Sequence, residues 1–96
     1  MPQLSRKEKG SEIVITICDL ELFGENFQEG DVKLEIDESF YGGEEATVDE
    51  CLDALKEATI ANMVGSIVEH AIEIGYVDPE NVLEVEGVPH AQMARL

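Results

Sequence analysis

Residues 12–18, EIVITIC, constrain the fold more than any other stretch, because they are β-branched almost throughout. In an extended chain Ile13, Ile15 and Ile17 point to one side and Val14, Thr16 and Cys18 to the other. Apolar residues on both faces predict a central strand rather than an exposed one. The chain has 96 residues, of which 44% are hydrophobic, enough for one modest core and one domain.

The remaining elements follow from periodicity. DLELFG at 19–24 predicts one helical turn with Asp19 as cap and Gly24 as stop. Phe27 stands as an isolated anchor before the turn QEGD, and VKLEID at 32–37 alternates as a half-exposed strand with Val32, Leu34 and Ile36 inward. Thr47-x-x-Glu50 forms a capping box ahead of Val48, Cys51, Leu52 and Leu55, which recur at helical spacing. Ile60, Met63, Val64, Ile67, Ala71 and Ile74 form a second stripe, out of phase with the first, and predict a second helix after a break at 57–61. Gly75 ends that helix, VDPEN turns the chain, and VLEVE at 82–86 alternates as a strand before a return through VPHAQMARL. Residues 1–10 are polar and basic and read as a flexible leader, with residues 11–96 as the single domain. The order β-β-α-α-β, with a possible extra C-terminal strand, predicts an α+β fold. A small, mostly antiparallel sheet would pack one face on two helices.

Charge excludes several functions. Six basic residues face 22 acidic ones, a net charge of −16. Three of the cations, Arg6, Lys7 and Lys9, lie in the leader, so the body from Gly10 onward holds three cations against 21 acids, or −18. Such a surface repels phosphate backbones, and no direct nucleic-acid contact by the domain body is expected. The acidity fits either a salt-rich cytosol or a docking surface for a basic partner. No apolar run reaches the length of about 18–20 residues that a membrane span needs. No secretory pattern follows the basic start, so an intracellular chain, complete from its methionine, is expected. Cys18 and Cys51 are too few for a disulfide framework or a four-cysteine zinc site and are expected to be buried thiols.

The residues that draw attention are Ser39, Phe40, Tyr41, Gly42 and Gly43, followed by Glu44 and Glu45. A glycine pair before a helix can cradle phosphate, but two glutamates stand where cations would be needed. As a turn, the glycines would supply positive φ and the acids would favour a helix N-terminus. Alternation from Ile36 places Phe40 inward and Tyr41 outward, available to a partner. Near the C-terminus Pro89, His90 and Gln92 form a polar-light, uncharged window. His90 could act as a structural residue, a metal ligand or a general base beside Tyr41, Glu44 or Glu45. His70 lies on the polar side of the second stripe with Ser66 and Glu73. No ligand spacing for a metal, no cofactor motif and no nucleophile–base pair can be named.

Three stretches carry a family resemblance: CDLELFGENFQEGDVKLEIDESFYGG, ATIANMVGSIVEHAIEIGYVDPENV and GVPHAQMARL. From about Glu12 to its end the chain resembles an archaeal family known as domain of unknown function 424. The resemblance implies an archaeal, cytoplasmic protein with a two-layer fold, and it carries no activity with it.

The function expected from these residues is a non-enzymatic protein-binding module in which SFYGG and VPHAQ lie together and meet a protein partner, possibly basic. One alternative is a small hydrolase or transferase using His90 with a nearby carboxylate. Another is an accessory of archaeal RNA or translation machinery, touching RNA through a partner or through Arg6, Lys7 and Lys9. If the acidity is a salt adaptation, screening should relieve self-repulsion. The melting temperature should then rise between about 0.05 and 1 M KCl, most steeply at the low end. A flat or falling melting temperature in a calorimetric salt series would remove that explanation.

Overall fold

The computed structural model describes residues 2–95. In chain order the elements are β1 (Pro2–Lys9), β2 (Glu12–Asp19), a 3-10 turn at Leu20–Leu22, β3 (Asn26–Glu29) and β4 (Val32–Glu35). They continue as α1 (Glu38–Tyr41), β5 (Glu44–Glu45), α2 (Val48–Glu57), β6 (Ile60–Val64) and α3 (Ile67–Glu73). A 3-10 turn at Pro79–Asn81 leads into β7 (Leu83–Val85) and β8 (Val88–Ala94). Six strands form one sheet in the order β5-β1-β2-β6-β8-β7, and β3 with β4 forms a separate two-stranded sheet. Every pairing is antiparallel except that of β2 with β6. The fold is α+β, as expected, with more strands than the periodicity suggested.

Strand β2 is central, as its double apolar face requires. Ile15 and Ile17 are fully buried against α2 and α3, in a cluster with Cys51, Leu55, Met63, Ile67, Val68 and Ala71. Cys18 faces the other way, into a second cluster with Leu34, Ile36, Tyr41, Val64 and Val85. Helices therefore cover one face of the large sheet, while α1 and the β3–β4 hairpin cover part of the other. The hairpin is fastened to the β7–β8 turn: the Gln28 N–H donates to Glu86 Oε2 at 2.8 Å, and the Glu86 N–H donates to Glu29 Oε1. No helix among the described residues is long and apolar enough to cross a membrane.

Three expectations are corrected. Residues 2–9 are not a loose leader: they pair along their whole length with β2, from Pro2↔Asp19 to Lys9↔Glu12. The two-residue connection Gly10-Ser11 starts with Gly10 at φ 61, the backbone state that a tight hairpin turn of this kind demands. The polar composition of the segment hid the strand, because β1 borders the sheet's edge and only Pro2 and Gln3 are buried. Phe27 is not isolated but lies in β3, opposite Leu34. Val32, expected inward, is exposed.

The largest correction concerns residues 60–74. The apolar stripe predicted one helix, yet 60–64 is strand β6 and only 67–73 is helical. Ala61 and Met63 point to the helices and Val64 to the opposite face, a period of two. Strand partners on both sides of this short segment, β2 and β8, outweigh its helical spacing. The outermost members of the stripe, Ile60 and Ile74, are accordingly exposed.

Helix α2, the first of the two that the sequence predicts, starts at the expected capping box. Thr47 Oγ1 accepts the Glu50 N–H at 3.1 Å and Glu50 Oε1 accepts the Thr47 N–H at 2.9 Å, a reciprocal capping box. Thr47→Ala should therefore cost about 1 kcal/mol in urea unfolding. Leu55→Ala, at a fully buried position, should cost about 2–5 kcal/mol. Equal, negligible losses would mean that α2 is not docked as described.

Candidate functional site

The two segments singled out in the sequence fall on the same face of the sheet. Helix α1 lies over β1 and β2, and β8 lies beyond β6. Cross-strand register runs Gln3–Cys18–Val64–His90–Leu83 along one row of this face. Tyr41 packs into the cluster of Cys18 and Val64, and His90 is the direct neighbour of Val64 on the far side.

Their exposure differs from the expectation. Tyr41 is buried, 7% exposed, and Phe40 is 53% exposed. Residues 38–41 form a helical turn, so the alternation of an extended chain does not apply to them. Phe40 rests on Tyr41 edge to face, with centroids 4.8 Å apart and planes at 80°. Asp37 caps the turn: its Oδ1 accepts both the N–H and the hydroxyl of Ser39 at 2.9 Å. The backbone and then the hydroxyl hydrogen bond from Ser39 lower the Asp37 pKa.

The glycine pair is required for space rather than for positive φ. Gly42 has φ −68, and a Cβ there would overlap the Glu38 carbonyl oxygen. A Cβ on Gly43 would overlap the carbonyl of Leu4, across from the residue that opens β5. Glu44 and Glu45 do not start a helix; they pair with Leu4 and Gln3 as an outer strand.

This arrangement separates the candidate catalytic groups. Glu44 is on β5 and His90 on β8, four strand spacings apart, roughly 19 Å. Tyr41 is buried, and burial raises its phenol pKa. Cys18, beside it in the same cluster, is pushed up to about 12 by burial and then by Asp19 and Glu21. At neutral pH both groups hold their protons. The His90 Nε2 is enclosed without a hydrogen-bond partner among the described residues. Pro89 turns to the opposite side, and Gln92 is exposed.

Sequence reasoning missed a second feature, at the C-terminal ends of the parallel strands β2 and β6. Asp19 Oδ2 accepts the Ser66 N–H and Oδ1 accepts the Ser66 hydroxyl, both at 2.8 Å. Gly65 between the strand and α3 has φ 98, and a Cβ there would strike the Asp19 carboxylate. The joint borders an open cleft of about 530 Å³ with acidic Asp19, Glu69 and Glu84 beside apolar Val68 and Val88. No histidine, cysteine or cation lines it, so Ser66 has no base but the Asp19 carboxylate it already binds. Among the described residues no group of three or more His, Cys, Asp or Glu side chains could hold a metal ion. The signal for this joint is Val64-Gly65-Ser66 between two apolar runs, which reads equally as a position inside a helix.

Burial lowers the His90 pKa below its ordinary 6.5, because an imidazolium there would lose hydration. The unfolded chain takes up a proton near pH 6.5, the folded chain only below it. The contribution of His90 is therefore complete above that pH and is lost as pH falls through the depressed folded value. The urea midpoint should drop between about pH 7.5 and 5.5, before most carboxylates titrate, and His90→Gln should flatten that segment. A wild-type midpoint that is level over this interval would contradict the enclosure of Nε2.

Among curated proteins no relative matches the chain. The crystal structure of an uncharacterized conserved protein from Methanopyrus kandleri is similar in fold, with a TM-score of 0.76 and 24% sequence identity. The match covers 99% of this chain and 94% of that one. At this identity the likeness speaks for the fold alone. A family model matches residues 7–96, a span that begins inside β1 and includes both the α1 segment and β8. The chain belongs to the family described as protein of unknown function (DUF424).

Proposed function

We propose that the chain is a non-enzymatic protein-binding module whose contact surface includes Phe40. The observation that carries this reading is a large aromatic ring, more than half exposed, held on a buried ring beneath it. Rigid aromatics with little entropy left to lose are common anchors of protein interfaces. Past α1 the same face of the sheet carries the polar row Ser5–Thr16–Asn62–Gln92, in which Thr16 is buried, Ser5 and Asn62 are half-buried and Gln92 is exposed. Ser39, Gly42 and Gly43 would border this anchor, and Gln92 would supply a hydrogen-bonding contact. Tyr41 and His90 act from beneath, as support.

The charge distribution favours a protein over a phosphate backbone. Arg6, one of three β1 cations, is partly neutralised by Glu8 at 2.7 Å and by Glu57 at 3.4 Å. The acids that cover the rest of the surface favour a partner with lysine or arginine.

Affinity capture from extracts of the source cells, with each captured protein identified by mass spectrometry, tests this. Phe40→Ala should reduce capture at least about tenfold while changing stability by less than about 0.5 kcal/mol. Tyr41→Ala should instead cost about 3–5 kcal/mol of stability. If every protein captured by the wild type is captured equally by the Phe40 variant, the ring is not the anchor.

A further inference from the structure

Strand β8 has a longer outer edge than its neighbour covers. Strand β7 is three residues long and pairs only with Val88, Pro89 and His90. The Gly65 N–H donates to the Pro89 carbonyl at 3.0 Å and the Arg95 N–H donates to the Thr59 carbonyl at 2.8 Å. Odd-numbered residues of β8 therefore turn their backbone groups toward β6, and even-numbered residues turn theirs outward. His90 and Val88 are met there by Leu83 and Val85. Gln92 and Ala94 are not: both are exposed, and neither has a strand partner on that side among the described residues.

The opposite edge of the sheet is guarded. Beyond β5, the outer side of β1 carries Arg6, Lys7, Glu8 and Lys9, the charged residues that discourage strand addition. The segment Ala91-Gln92-Met93-Ala94 carries no charge. Partly buried Met93 and Tyr76 lie at its helix side, Tyr76 under the Arg95 guanidinium at 5.7 Å. An added strand would thus find four unused backbone groups and a small apolar shelf.

We infer that this edge takes up an extended, lysine- or arginine-bearing segment of a partner protein by strand addition beside β8. The inference deepens the protein-binding reading above and rests on it. Charge chooses the occupant. Pairing with a second copy about a two-fold at Met93 would join Gln92 to Ala94 and Ala94 to Gln92, and it would bring together two chains of −16 each. A basic segment forms the same ladder with attraction in place of repulsion, and its alternate side chains rest beside Met93.

The test titrates the full isotope-labelled chain with the hexapeptide Lys-Val-Arg-Val-Lys-Val at about 0.1 M salt. The Gln92 and Ala94 amides should shift, and their hydrogen exchange should slow at least about tenfold. Gln92→Pro removes an outward N–H without touching the β6 ladder and should weaken binding about tenfold. Ala94→Pro serves as the second variant, should the first fail to fold. Equal binding of Lys-Pro-Arg-Pro-Lys-Pro would show attraction by charge alone and overturn strand addition. Exchange protection at Gln92 and Ala94 without peptide, together with a dimer in solution, would assign the edge to a second copy and overturn the proposal. Unmoved amides alongside Phe40-dependent partner capture would overturn the edge and leave the binding reading standing; loss of both would remove both.

Discussion

Because β2 presents apolar side chains on both faces, neither face can be left to water, and the rest of the chain is arranged to cover them. Ile15 and Ile17 require one cover and Cys18 another. Its neighbour β6 runs parallel to it, and parallel neighbours cannot be joined by a tight turn. Residues 20–59 form that long connection, and they use it to build both covers. The β3–β4 hairpin and α1 close over the Cys18 side, and α2 closes over the Ile15 and Ile17 side. The candidate site is a by-product of this arrangement, since α1 has just one buried residue, Tyr41, and its next ring is left outside.

The parallel pair also fixes the joint at its C-terminal end. Asp19 closes β2 and reaches across to the backbone and hydroxyl of Ser66, just after β6. Only a residue without a side chain fits between them, which explains Gly65 and why the chain leaves the strand there to enter α3. The Asp19 carboxylate thereby orients the helix that seals the main core.

The acids do little of this structural work. The ion pairs among the described residues, Arg6 with Glu8 and Glu57 and Lys56 with Asp53, are all exposed, a setting in which such pairs contribute little. Asp49 and Glu50 favour the start of α2; most other carboxylates face solvent and determine what can approach. The two ends of the sheet differ in the same way: the part of β1 beyond β5 is charged, whereas the part of β8 beyond β7 is neutral up to Ala94.

The sequence by itself determined the central place of β2, the capped helix α2, the α+β class and the family to which the chain belongs. Each is written in a local pattern: β-branched residues on both faces, a Thr-x-x-Glu box before a helical stripe, and segments shared with the family. Tertiary structure alone decided the identity of residues 2–9 and 60–64 as strands. The first has almost no apolar pattern and is held by pairing with β2; the second has a helical pattern and is overruled by partners on two sides. It likewise decided which of Phe40 and Tyr41 faces water, because one turn of helix rotates successive side chains by about 100°, not 180°. That His90 and Glu44 stand on opposite sides of a six-stranded sheet is a matter of strand order, which no local pattern records.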